Sequence, residues 1–309
     1  MKILLVNKYL YRKGGAETYF IKLGEYLKSL GNEVEYFGMA DERNCVGNRV
    51  EAYTENIDFH KKSLKHITYP FKIIYSVNAR KQIRKVLSNF KPDVVHLNNF
   101  NYQLTPSIIY EIKKHNIPIV YTAHDVQLVC PNHKLKNDYT DGLCRKCDGG
   151  KYFECVKNNC VHSSKIRSIL GAVEAWYYKL CHTYKMIDLT VCPSEFMEKE
   201  ISRNDDINGR TVTMYNFIDE IKPLGAECEN YVLYFGRYSE EKGISNLVKA
   251  TKKLSNIPFV FAGKGELEND VNSADNIKNV GFKTGDELRN IIEKALLTVL
   301  PAEWSENCP

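Results

Sequence analysis

The sequence predicts an α/β protein made of two doubly wound parallel sheets. Three observations carry this. Short, wholly apolar runs of the kind used by strands buried on both faces recur along the chain. Segments of helical period separate them, which is the alternation of crossover-linked parallel strands. One polar stretch, residues 220–230, interrupts that alternation and reads as a linker between two domains, 1–217 and 218–309. With 309 residues and 43% apolar content, the chain can bury two cores.

Lys2 to Val6 is the first buried-type strand, and Gly14-Gly15 lies in the loop before a helix carrying Tyr19, Phe20, Leu23, Leu27 and Leu30. Glycines there let backbone approach a ligand closely, although a Gly-Gly pair alone also makes an ordinary turn. Glu33 to Phe37 is the second strand, and residues 41–58 show no period. The following segment reads as helix broken near Pro70, with an apolar stripe through Ile73, Ile74, Val77, Ile83, Val86 and Leu87. Pro92 to Leu97 and Ile117 to Thr122 are further strands around a helix from Thr105 to His115. Asn98-Asn99 and His124-Asp125 follow the ends of these strands, where open parallel sheets bind ligands. Ser163 to Tyr184 reads as a long helix, Asp188 to Cys192 as a strand, and Thr211 to Tyr215 as the strand that closes the sheet.

Net charge is +5, but its distribution is local. Between His60 and Lys91 stand Lys61, Lys62, Lys65, Lys72, Arg80, Lys81, Arg84, Lys85 and Lys91, with no acid among them, so the rest of the chain is net acidic. A patch of this kind suits one anionic partner surface. Anionic lipid headgroups fit it, and so does a plain solvated helix face; nucleic acid is not expected, because the aromatic or motif support it needs is missing. The N-terminus has no signal-peptide pattern and no apolar run is long enough to span a bilayer. The expected location is the cytoplasm, at the inner face of the cytoplasmic membrane if the basic patch is used.

Without export, the cysteines are expected to be thiols or metal ligands. Cys130, Cys144, Cys147, Cys155 and Cys160 make a C-x13-C-x2-C-x7-C-x4-C run with His133 and His162 nearby. Those spacings suit structural zinc or an iron–sulfur cluster, and equally a loop of free thiols over the site.

Past the linker, Tyr231 to Phe235 reads as a strand stopped by Gly236, with Leu247, Val248 and Leu254 at helical spacing beyond. Arg237 and Lys242 lie between strand end and helix start, where free N–H groups favour an anion such as a diphosphate. Phe259 to Ala262, Ile277 to Val280 and Ala295 to Leu300 are the remaining strands; Gly263, Lys264 and Gly265 follow the first of these, and Phe282 is a candidate for the nucleotide base.

The run Gly236-Arg237-x-x-x-Glu241-Lys242-Gly243 resembles the donor-phosphate signature of GT-B glycosyltransferases, the retaining family 4 type in particular. Gly14-Gly15-Ala16-Glu17, His124-Asp125, Asn216 to Asp219 and Trp304-Ser305-Glu306-Asn307 fall in that family's order, so the resemblance spans the chain. It implies two Rossmann-like domains, the first holding a saccharide or lipid-linked acceptor and the second a nucleotide-sugar donor, with sugar transfer serving surface polysaccharide synthesis. It further implies that Arg237 and Lys242 hold the diphosphate, that Glu306 contacts hydroxyls of the donor sugar, and that His124 lies near the reacting centre. Catalysis then requires no metal or cofactor. Two departures stand out. Asn98 occupies a position where many members carry histidine, and the family's second glutamate, eight positions after Glu306, falls beyond Pro309, so the second domain is expected to be incomplete and the chain to transfer little sugar. A nucleotide-sugar epimerase of the same architecture and a truncated, non-catalytic sugar-nucleotide-binding protein are the alternatives.

Overall fold

A computed structural model describes residues 1–56, 69–137, 142–218 and 225–303. The chain divides into a unit Met1–Phe217 and a unit Ile218–Asn307. Both are α/β with wholly parallel sheets.

In the first unit, β1 (Lys2–Val6), β2 (Glu33–Phe37), β3 (Val94–Leu97), β4 (Ile119–Thr122), β5 (Leu189–Cys192) and β6 (Thr211–Thr213) form a sheet of order β2-β1-β3-β4-β5-β6. Winding reverses between β1 and β3, so the loops that leave these two strands border the crevice where such sheets take ligands. Burial explains why the strands were readable: Leu4, Val6, Val95, Leu97 and Ile119 pack one face beneath Ile83, Val86 and Leu87, while Ile3, Leu5, Val34 and Tyr36 pack the other beneath Phe20 and Ile21. Helix α1 (Gly15–Ser29) supplies Phe20 and Ile21. The basic segment forms α2 (Tyr69–Ile74) and α3 (Val77–Phe90); its first part, with Lys61, Lys62 and Lys65, lies outside the described residues. A break falls at Tyr75–Ser76; the residues before Tyr69, on which a break near Pro70 turns, lie outside the described residues. Ser76 caps α3 by accepting from the Ala79 amide at 3.1 Å.

Helix α4 (Ser107–Lys114) links β3 to β4. Between β4 and β5 come α5 (Phe153–Lys157) and α6 (Lys165–Leu180), and α7 (Glu195–Ile201) precedes β6. Helix α6 starts at the Ser164 cap and ends at Leu180, shorter than the 163–184 expected, because the chain turns into a 3₁₀ segment at Thr183–Met186.

The second unit orders β7 (Glu229–Arg237), β8 (Phe259–Lys264), β9 (Ile277–Asn279) and β10 (Ala295–Thr298) as β10-β7-β8-β9. Helices α8 (Ile244–Lys253), α9 (Glu268–Val271) and α10 (Gly285–Lys294) connect them. Winding reverses here between β7 and β10. Gly236 does not end β7: pairing with β8 continues through Gly236↔Gly263 and Arg237↔Lys264. Only glycine allows this, since a Cβ at position 263 would stand 1.9 Å from the Gly236 carbonyl oxygen.

Candidate active site

In each unit several of the residues singled out from the sequence follow the C-terminal ends of parallel strands. In the first, the loops after β1 and β3 are knitted together: Asn7 Oδ1 accepts from the Asn99 amide at 2.9 Å, and the Lys8 amide donates to the Asn99 carbonyl at 2.7 Å. His124 Nε2 pairs with Asn98 Oδ1 at 2.8 Å, and Tyr19 from α1 sets its ring edge-on to the imidazole, with centroids 5.3 Å apart. Tyr19 also bonds Thr122, whose hydroxyl meets His96 Nε2 at 2.7 Å. Burial holds His124 down to about 4 despite the opposing pull of Asp125, and burial together with His124 does the same to His96. Both rings are therefore neutral near pH 7. The buried Asn98 leaves its Nδ2 without an acceptor among the described residues.

Gly14 is the N-cap of α1, and a Cβ there would press on Glu17 Oε2 at 3.3 Å, whereas a Cβ on Gly15 would meet nothing. Gly14 is thus shaped by its own helix, and Gly15 borders open space.

His133 is the residue whose role sequence reasoning missed. The sequence sets it beside the cysteine run, but its Nδ1 lies 3.2 Å from Asp125 Oδ2 and 3.0 Å from Asn101 Nδ2, and its ring stacks on Tyr102. Asn101 in turn accepts from Lys8 Nζ at 3.1 Å. Burial alone would raise the Asp125 carboxyl; His133 and the Gln127 amide keep it below its usual value. The clue available in sequence was the placing of His133 eight residues after Asp125, within reach of a loop that folds back.

Structural zinc is not supported. Cys130, Cys144, Cys147, Cys155 and Cys160 all border one small cavity, yet among the described residues no three His, Cys, Asp or Glu side chains form a group that could hold a metal ion. Local hydrogen bonds occupy the thiols instead. Cys130 donates to Asn132 Oδ1, Cys144 accepts from Asn137 Nδ2, and Cys155 bonds Cys160. Ion pairs of Arg145 with Glu200 and Asp148 with Arg203 fasten this loop to α7 and the turn after it, the task a metal would have had.

In the second unit, Arg237 ends β7 with its side chain 71% exposed and Glu241 Oε1 3.9 Å away. Lys264 stands beside it in register at the end of β8, its Nζ 5.2 Å from the Phe282 ring centre. Lys242 closes the 3₁₀ turn Glu240–Lys242 directly before α8. Gly243, at φ +71°, is the N-cap of that helix, and a Cβ on it would lie 1.9 Å from the Pro301 carbonyl oxygen. That contact, with the Glu303 amide donating to the Glu241 carbonyl at 3.1 Å, joins the loops after β7 and β10. Gly265 is likewise pinned, with its Cβ position 2.2 Å from the Tyr238 carbonyl oxygen. Glu306 lies outside the described residues.

The family model described as Glycosyltransferase Family 4 matches residues 13–221, and that described as Glycosyl transferases group 1 matches residues 217–309. The chain belongs to this family of glycosyltransferases. An uncharacterised 42.6 kDa protein from the cps region of Klebsiella pneumoniae is 25% identical over 328 residues, covering 99% of this chain and 80% of that protein. Among solved structures, HepE of Anabaena in complex with UDP matches with a TM-score of 0.61 at 15% identity, over 99% of this chain and 75% of that one. Sucrose-phosphate synthase of Thermosynechococcus elongatus matches with 0.64 at 14% identity, over 99% and 76%. At such identities the likeness is one of fold.

Proposed function

We propose that this glycosyltransferase moves a sugar, with retention of configuration, from a nucleotide-sugar donor to a saccharide or lipid-linked acceptor in surface polysaccharide synthesis. The observation that carries the reading is the set of Arg237, Lys242 and Lys264 around the switch point of the second sheet, beside the N-terminus of α8. Cations and a helix N-terminus so arranged neutralise a diphosphate as its bond to the sugar breaks, and preorganised charge of this kind is typically the largest catalytic contribution. Glu306 would contact hydroxyls of the donor sugar, and the acceptor hydroxyl would attack from the face the diphosphate leaves. On the acceptor side, neutral His124 and the spare Nδ2 of Asn98 are hydrogen-bonding groups suited to hydroxyls and not to anions. UDP bound to HepE and the cps origin of the Klebsiella relative support the donor class and the pathway. The basic helices α2 and α3 would meet an anionic membrane surface carrying the acceptor.

The test is incubation with a panel of nucleotide sugars, with and without lipid-linked saccharides, followed by product analysis including anomeric configuration. Acceptor-dependent release of nucleoside diphosphate with an α-linked product from an α-linked donor is expected. An altered sugar formed without acceptor would instead mark an epimerase.

A further inference from the structure

Helix α6 presents Ile166, Ile169, Val173, Trp176, Tyr177 and Leu180 to solvent, Ile166 at 73% and Leu180 at 79% exposure. At 3.6 residues per turn these six positions share an arc of roughly 100°, an apolar stripe about four turns long. The opposite face, with Ser168, Ala172 and Tyr178, is the buried one, so the stripe is not the helix's core contact turned outward. Trp176 is fixed there by its indole N–H donating to the Gly150 carbonyl at 2.9 Å. Exposed Phe153 on α5, which packs against α6, widens the patch.

What flanks the stripe identifies its occupant. Exposed Lys157, Lys165 and Arg167 stand at its start and Lys185 beyond its end, and α2, part of the basic segment with exposed Lys72, packs on the same helix. The single acid of α6, Glu174, lies toward His133. An apolar ridge with a tryptophan and a tyrosine, rimmed chiefly by cations with Glu154 beside Phe153, matches the boundary between anionic headgroups and acyl chains. Among the described residues no helix is long and apolar enough to cross a membrane.

We infer that α6 lies in the interfacial layer of an anionic bilayer with Ile166, Ile169, Val173, Trp176 and Leu180 immersed, anchoring the first unit. This builds on the membrane-surface part of the proposed function and not on sugar transfer, so no nucleotide sugar enters the test. The chain has two tryptophans, and in Trp304→Phe protein Trp176 reports alone. With phosphatidylglycerol-containing vesicles its emission should shift to the blue and be quenched by lipid brominated near the headgroup end of the acyl chain. At salt high enough to screen the lysines, Ile166→Ser/Leu180→Ser should lower vesicle partitioning about tenfold or more, since each lost apolar side chain matters without charge. Unchanged thermal unfolding of the double variant would show that its fold is intact. If vesicles sediment the protein but leave Trp176 emission unaltered, contact is through charge alone and the inference fails. It fails equally if the variant partitions like the parent, or if Trp176 shifts without lipid as the protein dimerises, for then a second copy covers the stripe.

Discussion

Arg237→Ala should separate catalysis from stability by a wide margin. The side chain is 71% exposed and its nearest acid, Glu241, is 3.9 Å away, so the pair contributes about 0–1 kcal/mol to folding. Lys264 is its neighbour in register on the adjacent parallel strand, and two cations on strands about 4.8 Å apart repel each other until an anion joins them. Removing one should leave the nucleotide-free protein as stable as before or slightly more so. If both cations face a diphosphate, the same change should lower kcat/KM by roughly 10²–10³, the loss seen when a preorganised donor to developing charge is deleted, or about 2.7–4 kcal/mol. It should also shrink the rise in melting temperature that nucleoside diphosphate gives the parent, because that rise reports ligand affinity. Steady-state transfer assays beside thermal unfolding, with and without UDP, measure all three. Turnover within threefold of the parent, or a clear loss of stability in the nucleotide-free protein, would show that Arg237 is structural and that the diphosphate assignment is wrong. Lys242→Ala should reduce transfer similarly.

Glu111 is 2% exposed and accepts from Arg80 at 2.9 Å and from Arg84 at 2.6 and 3.1 Å, which holds its carboxyl down to about 2, Arg84 foremost. Glu111→Gln should cost about 3 kcal/mol in urea unfolding, the low end for a broken buried pair because Arg84 keeps much of its hydration, and should strengthen binding to anionic vesicles by freeing both guanidinium groups. Gly15→Ala should leave stability unchanged or raise it by about 0.5–1 kcal/mol as a helical Gly-to-Ala change while lowering transfer, whereas Gly263→Ala should destabilise by at least about 1–3 kcal/mol, since its Cβ meets backbone 1.9 Å away. His96 and His124 are both depressed to about 4, so their contribution to stability is complete above pH 6.5 and lost as pH falls through 4; each full shift corresponds to about 3 kcal/mol, less for the pair because His124 itself lowers His96. Denaturant midpoints measured between pH 7 and 4 should fall, and fall less in His124→Gln.

The parallel core was legible where both faces of a strand are covered, which forces an unbroken apolar run such as Ile3 to Val6 to coincide with its strand. Punctuation by single residues was less dependable. Gly236, read as a strand end, lies within β7 because the neighbouring Gly263 admits its carbonyl. Local sequence gives the preference of such a residue, and only the partner strand decides whether the preference is overruled. The cysteine run left metal and free thiols both open for a related reason. Ligand spacing says which sulfurs can converge, but Asn132, Asn137 and a neighbouring thiol were close enough to take their hydrogen bonds, and Arg145 and Asp148 found Glu200 and Arg203 far along the chain. Long-range pairings of this kind leave no period or motif to read. The same holds for the basic patch, where Arg80 and Arg84 counted as surface charge until Glu111 claimed them.

The two switch points differ in a way that follows from what each is proposed to bind. At the first, nearly every polar side chain already has a partner inside the protein: Asn98 on His124, Thr122 on His96, Asp125 on His133. His96 and His124 are neutral and Asp125 is matched by His133, so the surface around His124 offers oriented hydrogen bonds, which suits uncharged hydroxyls that must be desolvated with little electrostatic cost. At the second, Arg237 and Lys264 point into solvent side by side. Cations left so exposed are poor contributors to folding, but a diphosphate brings its own compensating charge and converts their repulsion into affinity. Leaving-group charge grows as the glycosidic bond breaks, so the benefit is greater in the transition state than in the bound substrate, and that difference is what accelerates a reaction.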